Sequence, residues 1–244
     1  MSERVPQPVD VIPLSFRQLL RRLAVWIRPN LWMVFLSLGM VTLPAALAGL
    51  YHTVRACLLD PGDSRTVLRE EFKQGFFSRF GHSLALGITN LLVLAVIVFS
   101  VLFWTRQEER IYNYISIISF YFLAMWWLCQ PFLYPAMIEN PALKIPKLIG
   151  HVLGIVIRRP FQALVITLVN TLLTVLGAVL LGPILLVIPS LVALISIQAY
   201  WVLTGRDVPD WIDPVYYETK LQEQENQGLR KNRQSSSQRR KNEF

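Results

Sequence analysis

Polar and apolar positions in this chain separate into long blocks rather than alternating at a short period. Stretches without a single Asp, Glu, Lys or Arg cover 31–54, 82–105, 111–138 and 161–205. Each is as long as, or longer than, the ~20 residues with which a helix crosses a hydrocarbon core. The last block is too long for one crossing, and Gly182-Pro183 interrupts it where helices stop and turn. The pattern predicts an all-α, polytopic helical membrane protein with five transmembrane helices, over 31–54, 84–104, 111–138, 161–181 and 184–204. The short charged turn Arg106 to Arg110 makes the second and third of these an antiparallel hairpin.

Two other segments set apolar residues at helical spacing beside basic ones. "LSFRQLLRRLAVWIRP" places Leu14, Leu19, Leu20, Leu23 and Ile27 against Arg17, Arg21, Arg22 and Arg28. "SRTVLREEFKQGFFSRF" repeats Leu68, Phe72, Phe76 and Phe80 every four residues beside Arg69, Lys73 and Arg79. Both read as amphipathic helices on the membrane surface. In the second, Phe72, Lys73, Phe76, Phe77, Arg79 and Phe80 form a candidate contact segment for a partner. The chain then divides into a polar N-terminal segment with a surface helix (1–30), a five-helix membrane domain (31–205) and a disordered basic tail (206–244).

Prolines mark candidate kinks at Pro44, Pro135 and Pro189, since membrane helices tolerate proline where neighbours satisfy the freed carbonyl. "MVTLPAALAGLYHTVR" also mimics a signal-peptide cleavage site at Ala46-Leu47-Ala48. The polar stretch before it is too long, however, and the chain stays uncharged beyond Ala48. After Pro44, Ala45, Gly49, His52 and Ala56 form a mostly small stripe on which another helix can close.

Composition strengthens the membrane reading, with 53% hydrophobic and 16% charged residues against about 25% charged in soluble domains. The net charge of +8 marks the cytoplasmic side rather than a nucleic-acid partner. With five crossings, 17 Lys and Arg residues fall on the side of the C-terminus and 7 on the other. That places the C-terminus in the cytoplasm and the N-terminus outside, in a multi-pass cell-membrane protein. If 31–54 instead dips in and returns, the split becomes 22 against 2.

No acid or base lies within a span, which disfavours proton-coupled transport by this chain alone. The candidate intramembrane polar cluster is Asn90, Asn170, Gln130 and Gln198. These amides either line a solute site or bond neighbouring helices, and the second is the simpler reading. His52, His82 and His151 have no partner spacing, and Cys57 and Cys129 show no ligand spacing. No catalytic, metal or cofactor signature is present, so a non-enzymatic protein is expected. A shift of 80 residues aligns Arg79 with Arg159, Leu84 with Leu164, Asn90 with Asn170 and Leu92 with Leu172, a weak internal repeat.

Three stretches, "NLWMVFLSLGMVTLPAALAGLYHTVR", "EEFKQGFFSRFGHSL" and "QPFLYPAMIENPALKIPKLIGHVLGIVIRRPFQAL", resemble the YesL-like family of bacterial integral membrane proteins, a domain of unknown function. The likeness covers about 30–200 and rests on Thr42, Pro44 and Ala45, on the aromatic-basic segment and on Tyr134-Pro135. Leu43 stands where the family usually has Gly. The resemblance implies a five-helix membrane domain often linked to carbohydrate uptake, and it supplies no catalytic residues. The expected function is an accessory or interaction component, with the lipid bilayer and another membrane protein, such as a sugar transporter, as partners. The alternative is a transporter or channel subunit with a polar intramembrane cavity.

Overall fold

The computed structural model describes residues 10–21, 23–37, 39–59, 65–107, 110–179 and 187–209. Among them every regular element is helical: α1 (Val11–Arg21), α2 (Leu23–Ser37), a single 3-10 turn (Met40–Thr42), α3 (Leu43–Leu59), α4 (Arg65–Ser78), α5 (Phe80–Thr105), α6 (Arg110–Glu139), α7 (Ile145–Arg158), α8 (Pro160–Val179) and α9 (Ile188–Leu203). Helices satisfy their own backbone groups, as a chain of this apolarity requires in lipid. The Gly182-Pro183 break and nearly all of the basic tail lie outside the described residues.

Among the described residues three helices are long and apolar enough to cross a membrane: Phe80–Thr105, Tyr114–Glu139 and Pro160–Val179. The apolar helices α3 and α9, of 17 and 16 residues, are shorter. The expected continuous span over 31–54 is instead two helices, α2 and α3, joined through the 3-10 turn. They run antiparallel. Thr42 donates its hydroxyl to the Leu36 carbonyl, Met33 and Leu47 line one cavity, and Trp32 and Gly49 both pack on Phe72. Each step back along α2, from Leu36 to Met33 to Trp32, meets a step forward through the turn and α3, from Thr42 to Leu47 to Gly49, so the chain reverses between Ser37 and Leu43.

This reversal corrects the expected kink at Pro44. Proline is the second residue of α3, where its missing N–H would have no helical acceptor anyway. Pro189 is corrected for the same reason, as it opens α9 rather than bending it. Pro131 and Pro135 do lie inside a continuous helix. Near them the Thr167 hydroxyl approaches the Leu128 carbonyl at 3.3 Å and ties α8 to α6.

Helices α5 and α6 form the expected hairpin, with Asn90 against Gln130, Ser100 against Ser119 and Trp104 against Tyr112. The small stripe on α3 also has the expected use: an added Cβ on Gly75 of α4 would lie 3.0 Å from the Gly49 Cα and 2.5 Å from the His52 Cβ. Two backbones therefore meet there with no side chain between them.

The repeat shows itself in helix boundaries more clearly than in residue identities. Surface helices α4 and α7 are both 14 residues long and begin at Arg65 and Ile145, 80 positions apart. Each is followed by an arginine whose carbonyl accepts the first bond of the next helix, Ser83 N–H to Arg79 O and Ala163 N–H to Arg159 O. Two successive units, α3–α4–α5 and α6–α7–α8, thus share one order of apolar helix, surface helix and apolar helix. Helix α9 is the core of the bundle, with 14 of its 16 residues buried.

The N-terminal helices depart from a simple surface location. On α1 the buried face is Val11, Ser15, Gln18 and Leu19, so only Leu19 of the leucine stripe on this helix is buried, and Leu20 is exposed. Ser15 and Gln18 bond to Gln198, while Ser190 donates to Asn30 at 2.8 Å. Helices α1 and α2 are therefore laid antiparallel along α9. A polar face was the one chosen for burial because α9 offers an amide for it to satisfy.

Candidate functional site

The four intramembrane amides do not meet in one place. Asn90 and Gln130 exchange hydrogen bonds at 2.9 and 3.2 Å, and the Trp126 indole donates to Asn90 at 2.9 Å. Gln198 is fully buried against α1, taking the Ser15 hydroxyl at 3.1 Å and donating to Gln18 at 2.5 Å. Asn170 donates to Ser196 at 2.9 Å. Only Gln130 and Asn170 line a common cavity, of about 340 Å³, between α3, α6, α8 and α9. A single solute site built from all four is not what the geometry assembles; the bonds between helices are.

The repeat gives these bonds a common logic. Asn90 on α5 reaches α6, and Asn170 on α8 reaches α9. In each unit the amide fastens the outgoing helix to the helix that follows it.

The aromatic-basic segment divides by face. Phe72 and Phe76 are buried, with Trp32 edge-on to Phe72 at 5.6 Å, so these two rings hold α4 against α2 and α3 and are not open to a partner. Phe80 is half-buried beside Phe76. Arg79 donates to the Met137 carbonyl at 2.7 Å. Its burial, and then the nearby Arg55, pull its guanidinium below the ordinary value, while Glu139 works the other way. What remains outward is Lys73 and Phe77, the latter 71% exposed. Of these, Lys73 borders a groove between α2 and α4, where a cavity of about 240 Å³ is lined by Trp32, Phe35, Leu36, Arg69, Phe72 and Lys73.

One group of residues was not singled out as a site by sequence reasoning. Glu139, the acid that follows the uncharged run 111–138, has a side chain 7% exposed. It accepts from Arg55 at 2.7 Å, from the Trp201 indole at 2.9 Å and from Arg206. Four parts of the chain therefore converge on one carboxylate: the ends of α3, α6 and α9 and the segment after α9. Beside it Asn140 donates to the Tyr200 hydroxyl at 2.9 Å, and His151 lies 3.2 Å from the same oxygen. Glu139, Asn140, His151, Tyr200, Thr204 and Arg206 surround a cavity of about 210 Å³. With its lone pairs directed at three donors, Glu139 acts here as an anchor rather than a free base. The clue available in sequence was a lone acid at the end of an uncharged run, with arginines near the ends of two others.

His52 Nδ1 lies 3.2 Å from Glu71 Oε2 but out of line for a hydrogen bond, so the contact is electrostatic. Among the described residues no group of three or more His, Cys, Asp or Glu is placed to hold a metal ion. Comparisons of the chain with protein-family models, with curated proteins and with solved structures find no match.

Proposed function

We propose that this chain is an integral membrane protein that acts as an accessory or interaction component, engaging another membrane protein through the groove between α2 and α4. The observation that carries the reading is the composition of that groove, in which the exposed Phe35 ring of α2 sits with Trp32 beside Arg69 and Lys73 of α4. Such a surface suits a helix or loop that brings apolar side chains together with a carboxylate. The link to carbohydrate uptake comes from the YesL-like resemblance alone.

A photo-crosslinking residue at position 35 or 77, activated in intact cells, should give one protein adduct. Charge reversal at both Arg69 and Lys73 should reduce it severalfold. Adducts to lipid only, together with sugar uptake unchanged on deletion of the protein, would refute the reading. The alternative, a transporter or channel subunit, requires a solute path that the four amides do not share; flux through purified protein in liposomes would restore it.

In the bilayer, the antiparallel α2–α3 pair favours an arrangement in which the chain enters and returns on one side. The 22 Lys and Arg residues elsewhere in the chain then share the cytoplasmic face, against 2 at the α5–α6 turn. A cysteine at position 105 should be labelled by an impermeant maleimide added to whole cells, and one at position 10 should not.

A further inference from the structure

We infer that the cavity between α3, α6, α8 and α9 binds an uncharged, hydroxyl-bearing lipid drawn sideways from the bilayer. The first reason is an unmet acceptor. Asn170 lines this cavity and is 5% exposed, and its Oδ1 has no hydrogen-bond partner although its Nδ2 donates to Ser196. Turning the amide over exchanges the two atoms and still leaves one of them unpaired. A buried polar atom without a partner is uncommon, and an absent ligand group is one of its few explanations.

The rest of the lining fixes the chemistry of that ligand. Trp127 donates to Thr171, Trp126 donates to Asn90, and both N–H groups of Gln130 are engaged by Asn90 and the Trp126 carbonyl. Thr167, Thr171 and Thr174 donate to carbonyls one turn back at 2.7–2.8 Å. These donors are occupied within the protein, the Tyr51 hydroxyl pairs with Ser196, and Tyr134 adds a hydroxyl able to donate or accept, whereas the buried Asn170 carbonyl oxygen has no partner. The complement is a hydrogen-bond donor. No Asp, Glu, Lys, Arg or His lines the cavity, so a charged donor would be left without a counter-ion in a weakly polar medium. A hydroxyl meets the requirement.

Location and shape supply the lipid. Val175 lines the cavity and is 54% exposed, on the same outward face of α8 as Leu168 and Leu172. The mouth thus opens in the apolar band, where hydrocarbon rather than water is the neighbour. Leu47, Tyr51, Thr174 and Val192 also line a second, almost wholly apolar cavity of about 260 Å³, which reaches Met33 and Ile188. A hydroxyl at Asn170 therefore leaves an adjoining lobe for an aliphatic chain.

The test uses the full chain in phosphatidylcholine nanodiscs with bromododecanol as probe, read by quenching of tryptophan fluorescence through Trp126 and Trp127. Bromododecane, which has the same chain and no hydroxyl, is the control. The alcohol should quench saturably and the alkane only in proportion to its partitioning. Asn170→Leu should raise the half-saturating concentration about tenfold, the worth of one hydrogen bond. Val175→Phe, which disturbs no hydrogen bond, should block the mouth and remove the saturable component, so the test survives even if Asn170→Leu fails to fold. Equal quenching by the two probes, or saturation unchanged in Val175→Phe, would overturn the inference. Neither result depends on what docks between α2 and α4.

Discussion

Helices α5 and α9 are both apolar along nearly their whole length, yet their surroundings are opposite. Of α5 only Ser83 and Leu86 are buried, and Ile88, Leu91, Leu92, Val96, Phe99 and Leu102 all point outward. Of α9 only Pro189 and Val192 escape burial. A helix that is apolar all round has no preferred face, so lipid and protein are equally good solvents for it. The difference lies in the minority residues. Helix α9 carries Ser190, Ala193, Ser196, Gln198 and Ala199, small groups that admit close neighbours and polar groups that find partners in α1, α2 and α8. The outer part of α5 carries bulky aliphatic and aromatic side chains that need nothing beyond a chain-like medium.

Truncation should break the comparison most sharply. Leu194→Ala in α9 should cost about 3 kcal/mol, since that side chain is fully buried and its loss leaves a cavity. Leu92→Ala in α5, 60% exposed, should stay within about 0.5 kcal/mol. Denaturant titration in mixed micelles would measure both, and equal losses would mean that α5 is covered by protein after all.

Next in size, Gln198→Leu makes α9 resemble α5 in composition and strands Ser15 and Gln18 without their amide. It should cost about 2 kcal/mol and release α1, seen as faster amide exchange over Val11–Arg21 with α5 unaffected. Gly87→Ala probes the part of α5 that does touch protein, where a new Cβ would fall 2.5 Å from the Pro44 Cγ. About 1.5 kcal/mol and a shift of α5 relative to α3, readable by distance measurement between spin labels, are expected. Asn90→Leu is the mildest, at about 0.6 kcal/mol, and should perturb the Trp126 indole resonance without moving α9.

The three helices long and apolar enough to cross a membrane were the readable part of the sequence, because a long uncharged run without breakers favours one unbroken helix. Phe72 and Phe76 were read correctly as one face but assigned to the outside, since periodicity identifies a face and not its neighbour. The α2–α3 reversal was hidden for a related reason. Ser37, Gly39 and Thr42 are weak breakers inside an apolar run, and only the hydroxyl of Thr42 reaching Leu36 makes the turn explicit. Glu139 escaped notice because its partners are far away in the chain, Arg55 by 84 residues and Arg206 by 67. Asn170 was singled out, but its unmet oxygen is a property of packing that no residue pattern records.

The innermost helix follows the other described helices in chain order, and this constrains how the molecule is made. While α9 is still in the ribosome, α5, α6 and α8 already stand around an empty axis, and Gln18, Asn170 and Glu139 await partners that have not been synthesised. Arrest of translation before Ile188 would therefore leave a hollow, sticky intermediate, recognisable to membrane quality-control proteases by the amides and the acid it exposes.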